Sequence, residues 1–421
     1  MTSLAFYERD RCLPASAGEL GFVLPSDDEL LARFAKPLRE LLGEPASTVE
    51  LEHARWKPGV GVSGSWRVTG ASEVATHACW KRYAGDKARG RGERTSATPG
   101  FWALPDTHEV LFGPSADLPL PGLGRALEEQ SKRRLARLMQ DAWLVAPGAL
   151  RKRASTLTVL RYKPERRAVC RVDASLRGDG PHHGALRIAL RVLPPAVAAR
   201  VTRARATLAE CAYLAPQPTI RFSVPRIGWI AEDWLPGELD EARALTLGAA
   251  IGALLRELHD APLPATPEQV ALASEKPLDL GLFAVRAELA ALAARVQSRL
   301  PTVPVARDLV WCHGDFHADQ VLFDDDGPHR LLDFDALGVG PRETDLASWV
   351  ADLLAADPSC NFRGAASGLL TGYGRVPLAQ LRGPVARRLC HMAAATLRRL
   401  ELDAANKATF LLQRALELTE S

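Results

Sequence analysis

Apolar positions follow two different periods along this chain, and the switch between them divides it. From Ser26 to Leu42 they fall at helical spacing, with Ser26-Asp27-Asp28 as cap and first turn. Short apolar runs then take over in two β-rich units. The first holds Val49 to Gly59, a strand from Ser65 to Val68, and a third strand from Thr76 through Lys81 to Tyr83. The second holds Thr156 to Glu165, Ala168 to Val172, and Ala185 through Arg191 to Val192. Each reads as strand, turn, strand, polar loop, and third strand with a cation. The turns match as Arg55-Trp56-Lys57-Pro58 and Arg161-Tyr162-Lys163-Pro164. Four shared turn residues and the third-strand cation favour an internal duplication over two hairpins that use similar turns by coincidence. Helical spacing returns from about Ala196 to Leu214, from Leu247 to His259, and from Asp345 through Ala347, Trp349 and Leu353. Inside this helical part, Val321 to Phe323 and Leu331 to Leu332 read as a short hairpin turning at Asp324 to Pro328. The pattern gives an α+β chain in three regions: 1–148, 149–236 and 237–421.

Composition narrows the class. A chain of 421 residues exceeds one small core. With 53 basic and 50 acidic residues, the net charge of +3 is too slight to imply a nucleic-acid partner. The runs Lys132-Arg133-Arg134 and Arg151-Lys152-Arg153 read as solvated helix faces. No apolar run reaches the length of a membrane span, so no membrane partner is expected. The first ten residues lack a secretory pattern, and seven cysteines without tight pairs read as reduced thiols. Together these make the cytoplasm the expected location. Cys312 lies in an apolar strand and reads as structural.

The densest chemistry lies at residues 311 to 335. His313-Gly314-Asp315 precedes the hairpin, Gln320 stands at its entry and Asp333-Phe334-Asp335 at its exit. The three side chains Asp315, Gln320 and Asp333 are therefore expected to converge. Phosphoryl transfer needs this set: one carboxylate for the acceptor hydroxyl, and an amide with a second carboxylate for Mg²⁺. Asp315 and Gln320 reproduce the Asp-x-x-x-x-Asn spacing of a kinase catalytic loop, with Gln in place of Asn. A rival reading takes His313, Asp315 and His317, which alternate to one face of an extended segment, as Zn²⁺ ligands with Asp333, giving a metallohydrolase. Gly314 inside the triplet and the remaining spacings count against it.

His-Gly-Asp-Phe-His-Ala-Asp-Gln-Val-Leu, then Leu-Leu-Asp-Phe-Asp, then Gly340-Pro341-Arg342-Glu343-Thr344-Asp345 resembles the aminoglycoside phosphotransferase and choline kinase family. The Gln320 variant is similar to the maltokinase branch and nearby bacterial sugar kinases. The resemblance is specific over 308 to 350, looser over 156 to 260, and does not cover the first 150 residues well. It implies a protein-kinase-like bilobal fold: a small β-rich N-lobe at 149–236, a helical C-lobe at 237–421 carrying the catalytic hairpin, and a cap-like N-terminal domain that reads as a degenerate N-lobe copy. It implies an ATP- and Mg²⁺-dependent small-molecule kinase acting on a hydroxyl, with a sugar or amino sugar as the first expectation. Asp315 is then the base, with Gln320 and Asp333 as metal ligands. Arg191 stands for the third-strand lysine, and Glu210, the single acid of its helix, for that lysine's partner. Arg187, four residues earlier, competes with Arg191. The turn cations Lys163, Arg166 and Arg167 either face the triphosphate or form a solvated turn, since no glycine allows close backbone approach. Backbone groups from Asp233 to Leu235 would bind adenine. Asp345 would hold the catalytic loop, and His259 would cap its helix end. Lys57 and Lys81 match the cations of the second unit, yet no catalytic loop follows them before residue 150, so the N-terminal unit is expected to do no chemistry. The glycine-free turn and the Arg-for-Lys exchange leave one further alternative, a catalytically silent nucleotide-binding module.

Overall fold

The computed structural model describes residues 24–84, 98–127, 131–142, 151, 155–177, 185–211, 217–235, 237–239, 246–264, 278–300, 309–323, 329–400 and 403–420. The first helical stretch is two helices, α1 (Asp27–Arg33) and α2 (Ala35–Leu42), rather than one. Pro37 gives the reason. A helical proline ring crowds the carbonyl four residues back, here Arg33, and Phe34 takes φ −116° and ψ 22° at the break. Leu30, Phe34 and Leu38 stay on one buried face across it. Ser26 caps α1 reciprocally with Glu29 (Glu29 N to Ser26 Oγ 3.2 Å, Ser26 N to Glu29 Oε2 2.8 Å).

Two five-stranded sheets follow. The first joins β1 (Ala46–Lys57), β2 (Gly61–Gly70), β3 (Ala75–Tyr83), β4 (Phe101–Leu104) and β5 (Glu109–Phe112) in the order β1-β2-β3-β5-β4. Short helices α3 (Pro121–Leu127) and α4 (Ser131–Asp141) come next. The second sheet joins β6 (Thr156–Lys163), β7 (Arg167–Ser175), β8 (Ala185–Val192), β9 (Ile220–Val224) and β10 (Trp229–Asp233) in the matching order β6-β7-β8-β10-β9. Local geometry repeats as well. Lys57 pairs with Gly61 and Lys163 with Arg167 across the first turn. Gly59 (φ 65°) and Glu165 (φ 60°) hold the same left-handed position inside it. Lys81 stands opposite Ser63 and Arg191 opposite Val169, in each case two residues beyond the turn-closing pair. A proline-led 3-10 turn ending in a positive-φ residue joins the last two strands of each sheet: Pro105–Thr107 with His108, and Pro225–Ile227 with Gly228.

Between β8 and β9 lies α5 (Pro195–Glu210), ending before the expected Leu214; residues 212–216 are outside the described set. The remainder is mostly helical, with α6 (Gly248–His259), α7 (Ala287–Arg299), α8 (Glu343–Ala356), α9 (Phe362–Tyr373), α10 (Leu378–Arg398) and α11 (Ala404–Glu420). Its strands are β11 (Glu238–Leu239), β12 (Leu309–Cys312), β13 (Val321–Phe323), β14 (Arg330–Leu331) and β15 (Gly338–Pro341). β13 pairs with β14 as the expected hairpin, whose turn 324–328 lies outside the described residues, and β12 pairs with β15. The expected boundaries at 148/149 and at Pro236 also fall outside them.

The cores are distributed unevenly. Tyr162, Val172, Ile188, Leu190 and Trp229 form a core belonging to the second sheet. Trp66 and Trp80 of the first sheet instead join one continuous apolar cluster with the helical C-terminal part, and β1 packs on α10. The first sheet is therefore braced on the helical lobe as well as preceding the second sheet in sequence. Among the described residues, no helix is long and apolar enough to cross a membrane, and six cysteines are free thiols.

Candidate active site

The loop after β12 is shaped by a buried carboxylate. Asp345, at the start of α8, is 0% exposed and accepts from the backbone N–H groups of His313 (2.6 Å) and Gly314 (2.8 Å). Gly314 adopts φ 82°, and a β-carbon there would collide with the Ala336 carbonyl, so the tight approach of the loop needs glycine. His259, the last residue of α6, is buried and points its ring into the loop's support rather than capping the helix end. Its Nε2 donates to Asp345 (3.1 Å), and its Nδ1 meets the Tyr373 hydroxyl (2.7 Å). Burial opposes the charge on Asp345, but the His259 hydrogen bond outweighs it and holds the carboxyl below its usual range. Cys312 completes a buried trio with His259 and Asp345. Burial pushes its thiol well above the usual value. Asp345→Ala leaves two backbone N–H groups buried without partners, at about 1–3 kcal/mol each. Thermal or denaturant unfolding should show that loss together with weakened activity.

Asp315 stands at the mouth of this loop, half exposed at 51%. Arg388, from α10, donates to it at 3.0 Å, and His317 Nε2 lies 3.6 Å away. Burial disfavours the Asp315 charge, yet His317 and Arg388 together hold its carboxyl far below the usual range. His317 also pairs with Asp319, and the two carboxylates raise it to about 9 against the opposing effect of burial. His313 Nε2 is bonded to the Leu332 carbonyl (2.6 Å), with its ring against Phe316 and Phe334. Among the described residues, His313, Asp315 and His317 do not gather their ligand atoms into a metal-sized group, so the zinc reading gains no support.

From Asp315 the contacts run through His317 and Asp319 to Gln320, whose amide nitrogen donates to Asp319 (2.5 Å). The Gln320 carbonyl accepts from Leu332 N (2.9 Å), which ties the hairpin entry to its exit at Asp333. Asp333 is left-handed (φ 58°, ψ 55°) and receives Arg167, from the turn between β6 and β7, and Arg191 (2.9 Å), from β8. Both arginines also reach Asp335. Burial works against ionisation of Asp333, but Arg191 and Arg167 overcome it and lower its pKa to about 2. The pKa of Asp335 goes up, through burial and the adjacent Asp333 charge.

On the nucleotide side the described contacts differ from the expected ones at Glu210 and Lys163. Arg191 is steadied by Glu232 on β10 (3.5 Å), not by Glu210, which lies exposed at the end of α5. Glu232 pairs in turn with Arg205 of α5 (2.8 Å), so the strand acid sits between two arginines. Arg187 pairs with Asp173 (2.6 Å) and lies over Trp234, whereas Arg191 joins Asp333 and Asp335. The turn cation that reaches Asp333 is Arg167 rather than Lys163, whose charged neighbours are other cations. At the expected hinge, the Asp233 N–H already donates to Thr219 (3.0 Å) and its carboxylate binds Arg221 (2.8 Å), while Leu235 is half-buried just past β10.

The sequence reading missed Arg388, Asp117 and Glu232. Arg388 lies 73 residues from Asp315 on a different helix, with no local signal. Asp117 is 2% exposed and accepts from Tyr162 Oη (2.7 Å) and Glu165 N (2.8 Å), fixing the glycine-free turn. Lys81, of the first sheet, pairs with the Glu165 carboxylate, so its place is to hold the second sheet's turn.

None of the curated proteins matches this chain. Among solved structures, a spectinomycin phosphotransferase in complex with ADP and spectinomycin is 12% identical, over 69% of this chain and 97% of that one, at TM-score 0.45. A choline kinase from Streptococcus pneumoniae is 12% identical over 68% and 99%, at TM-score 0.44. A macrolide 2'-phosphotransferase from Brachybacterium faecium is 20% identical over 66% and 97%, at TM-score 0.41. Residues 148–379, more than half of the sequence and the stretch that holds the second sheet, the loop of Asp315 and α8 to α9, match the model of the phosphotransferase enzyme family, and the chain belongs to that family.

Proposed function

We propose that the chain transfers the γ-phosphoryl group of ATP to a hydroxyl of a small molecule, with Asp315 as the base. The observation that carries this reading is the run of side-chain contacts from Asp315 through His317 and Asp319 to Gln320, whose backbone carbonyl accepts from Leu332 N beside Asp333. The Asp315 carboxylate, kept ionised by His317 and Arg388, orients the acceptor hydroxyl and takes its proton. The acceptor oxygen then bonds to the γ-phosphorus, the bond to the β–γ bridging oxygen breaks, and ADP leaves. Arg191 is fixed by Glu232 from behind, so its planar fork is set to bind the nucleotide phosphates. Arg167 reaches the same place from the turn, a cation where a glycine loop would offer backbone amides.

Gln320 and Asp333 bring an amide oxygen and a carboxylate, hard donors that fit Mg²⁺. When bound there, the ion supplies charge neutralisation for the phosphates. Asp335 is held by Arg191 and Arg167 and is not assigned to the metal. The loop pattern points to a sugar as the acceptor class. A screen of hydroxylated metabolites for Mg²⁺-dependent ADP formation tests the reading; ATP turnover that no acceptor stimulates would favour the silent nucleotide-binding module instead.

Gln320 gives a sharper check of the metal assignment. Its side chain is one methylene longer than asparagine's. Mg²⁺ tolerates little departure from octahedral geometry near 2.0–2.1 Å. Gln320→Asn should therefore raise the Mg²⁺ concentration needed for half-maximal activity while the fold is unchanged. An unaltered Mg²⁺ dependence would remove Gln320 from the ligand set.

A further inference from the structure

Lys81 and Arg191 occupy one register in the two sheets, yet they reach different places. Arg191 turns to Asp333 and Asp335. Lys81 leaves its own sheet and pairs with Glu165, in the turn between β6 and β7. The two side chains are 16% and 23% exposed, so water and salt screen this pair less than one on the open surface. Two more contacts from the first unit meet the same turn. Asp117, just past the 3-10 turn Pro114–Ala116, accepts from Glu165 N (2.8 Å) and from the Tyr162 hydroxyl (2.7 Å). His77, on β3, sets its ring edge-on to Tyr162, with centroids 5.6 Å apart. Burial and the Asp117 carboxylate push the Tyr162 hydroxyl well above its usual value, so it stays a donor.

The backbone at Glu165 explains why the turn takes such support. It is left-handed, at φ 60°, where the equivalent turn of the first sheet has Gly59 at φ 65°. Glycine enters that conformation freely, whereas a residue with a β-carbon is strained there. Strain of this kind persists where the surrounding structure over-determines the residue, and it gathers at working sites. Glycine would suit the backbone better; glutamate adds the carboxylate that Lys81 holds. Two residues further on, Arg167 closes the turn opposite Lys163 and extends to Asp333 and Asp335. Its guanidinium therefore hangs from a turn whose tip is gripped by the first sheet.

We propose that Lys81 and Asp117 are positioning residues for the nucleotide: through Glu165 they hold the β6–β7 turn so that Arg167 is presented to the phosphates. The proposal rests on the phosphotransferase reading and deepens it. A guanidinium makes its paired hydrogen bonds to phosphate only when its fork is correctly aimed, and a turn without the grip would leave that aim to chance. A glycine-rich phosphate loop offers backbone amides directly; here one side chain acts at a distance, so the rigidity of its turn matters more. The first sheet thus sets nucleotide affinity without any part in the chemistry, and its third-strand cation, which in the second sheet serves the site itself, serves it from outside.

Calorimetric titration of the full chain with a non-hydrolysable ATP analogue and Mg²⁺ tests this without any acceptor. Arg167→Ala should weaken binding by roughly 10- to 100-fold, the range of a hydrogen bond to a charged group. Lys81→Ala should weaken it by roughly 3- to 10-fold, since the cation is misdirected rather than lost. In the Arg167→Ala background, Lys81→Ala should add almost nothing, because both changes act through one contact. Glu165→Gly keeps the left-handed backbone and loses only the carboxylate, so it should match Lys81→Ala in affinity with its melting temperature maintained. It carries the same comparison with Arg167→Ala should Lys81→Ala fold poorly. Wild-type affinity in Glu165→Gly or in a folded Lys81→Ala overturns the proposal. So does an undiminished effect of either change in the Arg167→Ala background, which would place its action elsewhere. Wild-type affinity in Arg167→Ala overturns it as well, since no contact would be left to position. A wild-type protein that binds no nucleotide removes the phosphotransferase reading and the proposal together, a result distinct from all the others.

Discussion

Asp315→Asn should lower turnover by about 10²–10⁴-fold, the usual contribution of a positioned acid–base group, and leave ATP binding in place. Asparagine keeps the shape of the side chain and still offers an oxygen to Arg388, which donates to Asp315 at 3.0 Å. It cannot take the acceptor proton. The proposed nucleotide contacts should be unaffected, because Arg191 and Arg167 meet at Asp333 rather than at Asp315. Steady-state kinetics should therefore show a fall in kcat with little change in KM for ATP. Wild-type turnover in Asp315→Asn would move the base elsewhere on the loop, with Asp319 the next carboxylate along.

Asp333→Ala should remove Mg²⁺-dependent turnover almost entirely. A metal ligand at the transferring phosphate contributes several kcal/mol of transition-state stabilisation, and each 1.36 kcal/mol is tenfold in rate, so a loss of about 10³-fold or more is expected. The fold should survive. Arg191 keeps Glu232 and Asp335 as partners after the change, and Arg167 keeps Asp335. Circular dichroism and the unfolding midpoint would separate the two effects. An Asp333→Ala protein that is folded and still needs Mg²⁺ for near-normal turnover would transfer the ligand role to Asp335.

Local chemistry made the loop and hairpin legible in the sequence. His313 to Asp315, Gln320 and Asp333 are set by a tight glycine, a two-strand hairpin and apolar flanks, all within 25 residues. The β8 strand and its Arg191 were legible for the same reason, since a strand has a fixed period. Partners across the fold were not. Glu210 was chosen as the one acid of the nearest helix, whereas Glu232 reaches Arg191 from the neighbouring strand because β8 and β10 pair through Ala189 and Glu232. Arg388 and Asp117 act on Asp315 and on the Glu165 turn from elements whose spatial neighbours no local pattern specifies. The repeated turn did carry information, because Lys57 and Lys163 close equivalent hairpins and Lys81 and Arg191 occupy the same register. The break at Phe34 was missed although Pro37 was visible, because apolar spacing alone carries straight through it.

The most direct test follows the transferred group itself. With ATP labelled on the γ-phosphorus and the acceptor that emerges from the screen, the wild-type protein and Asp315→Asn should be compared by product analysis. The account predicts one equivalent of ADP for each labelled phosphate ester on the acceptor, Mg²⁺-dependent, and nearly absent in Asp315→Asn. Label released only as inorganic phosphate, or transfer undiminished in Asp315→Asn, would contradict it.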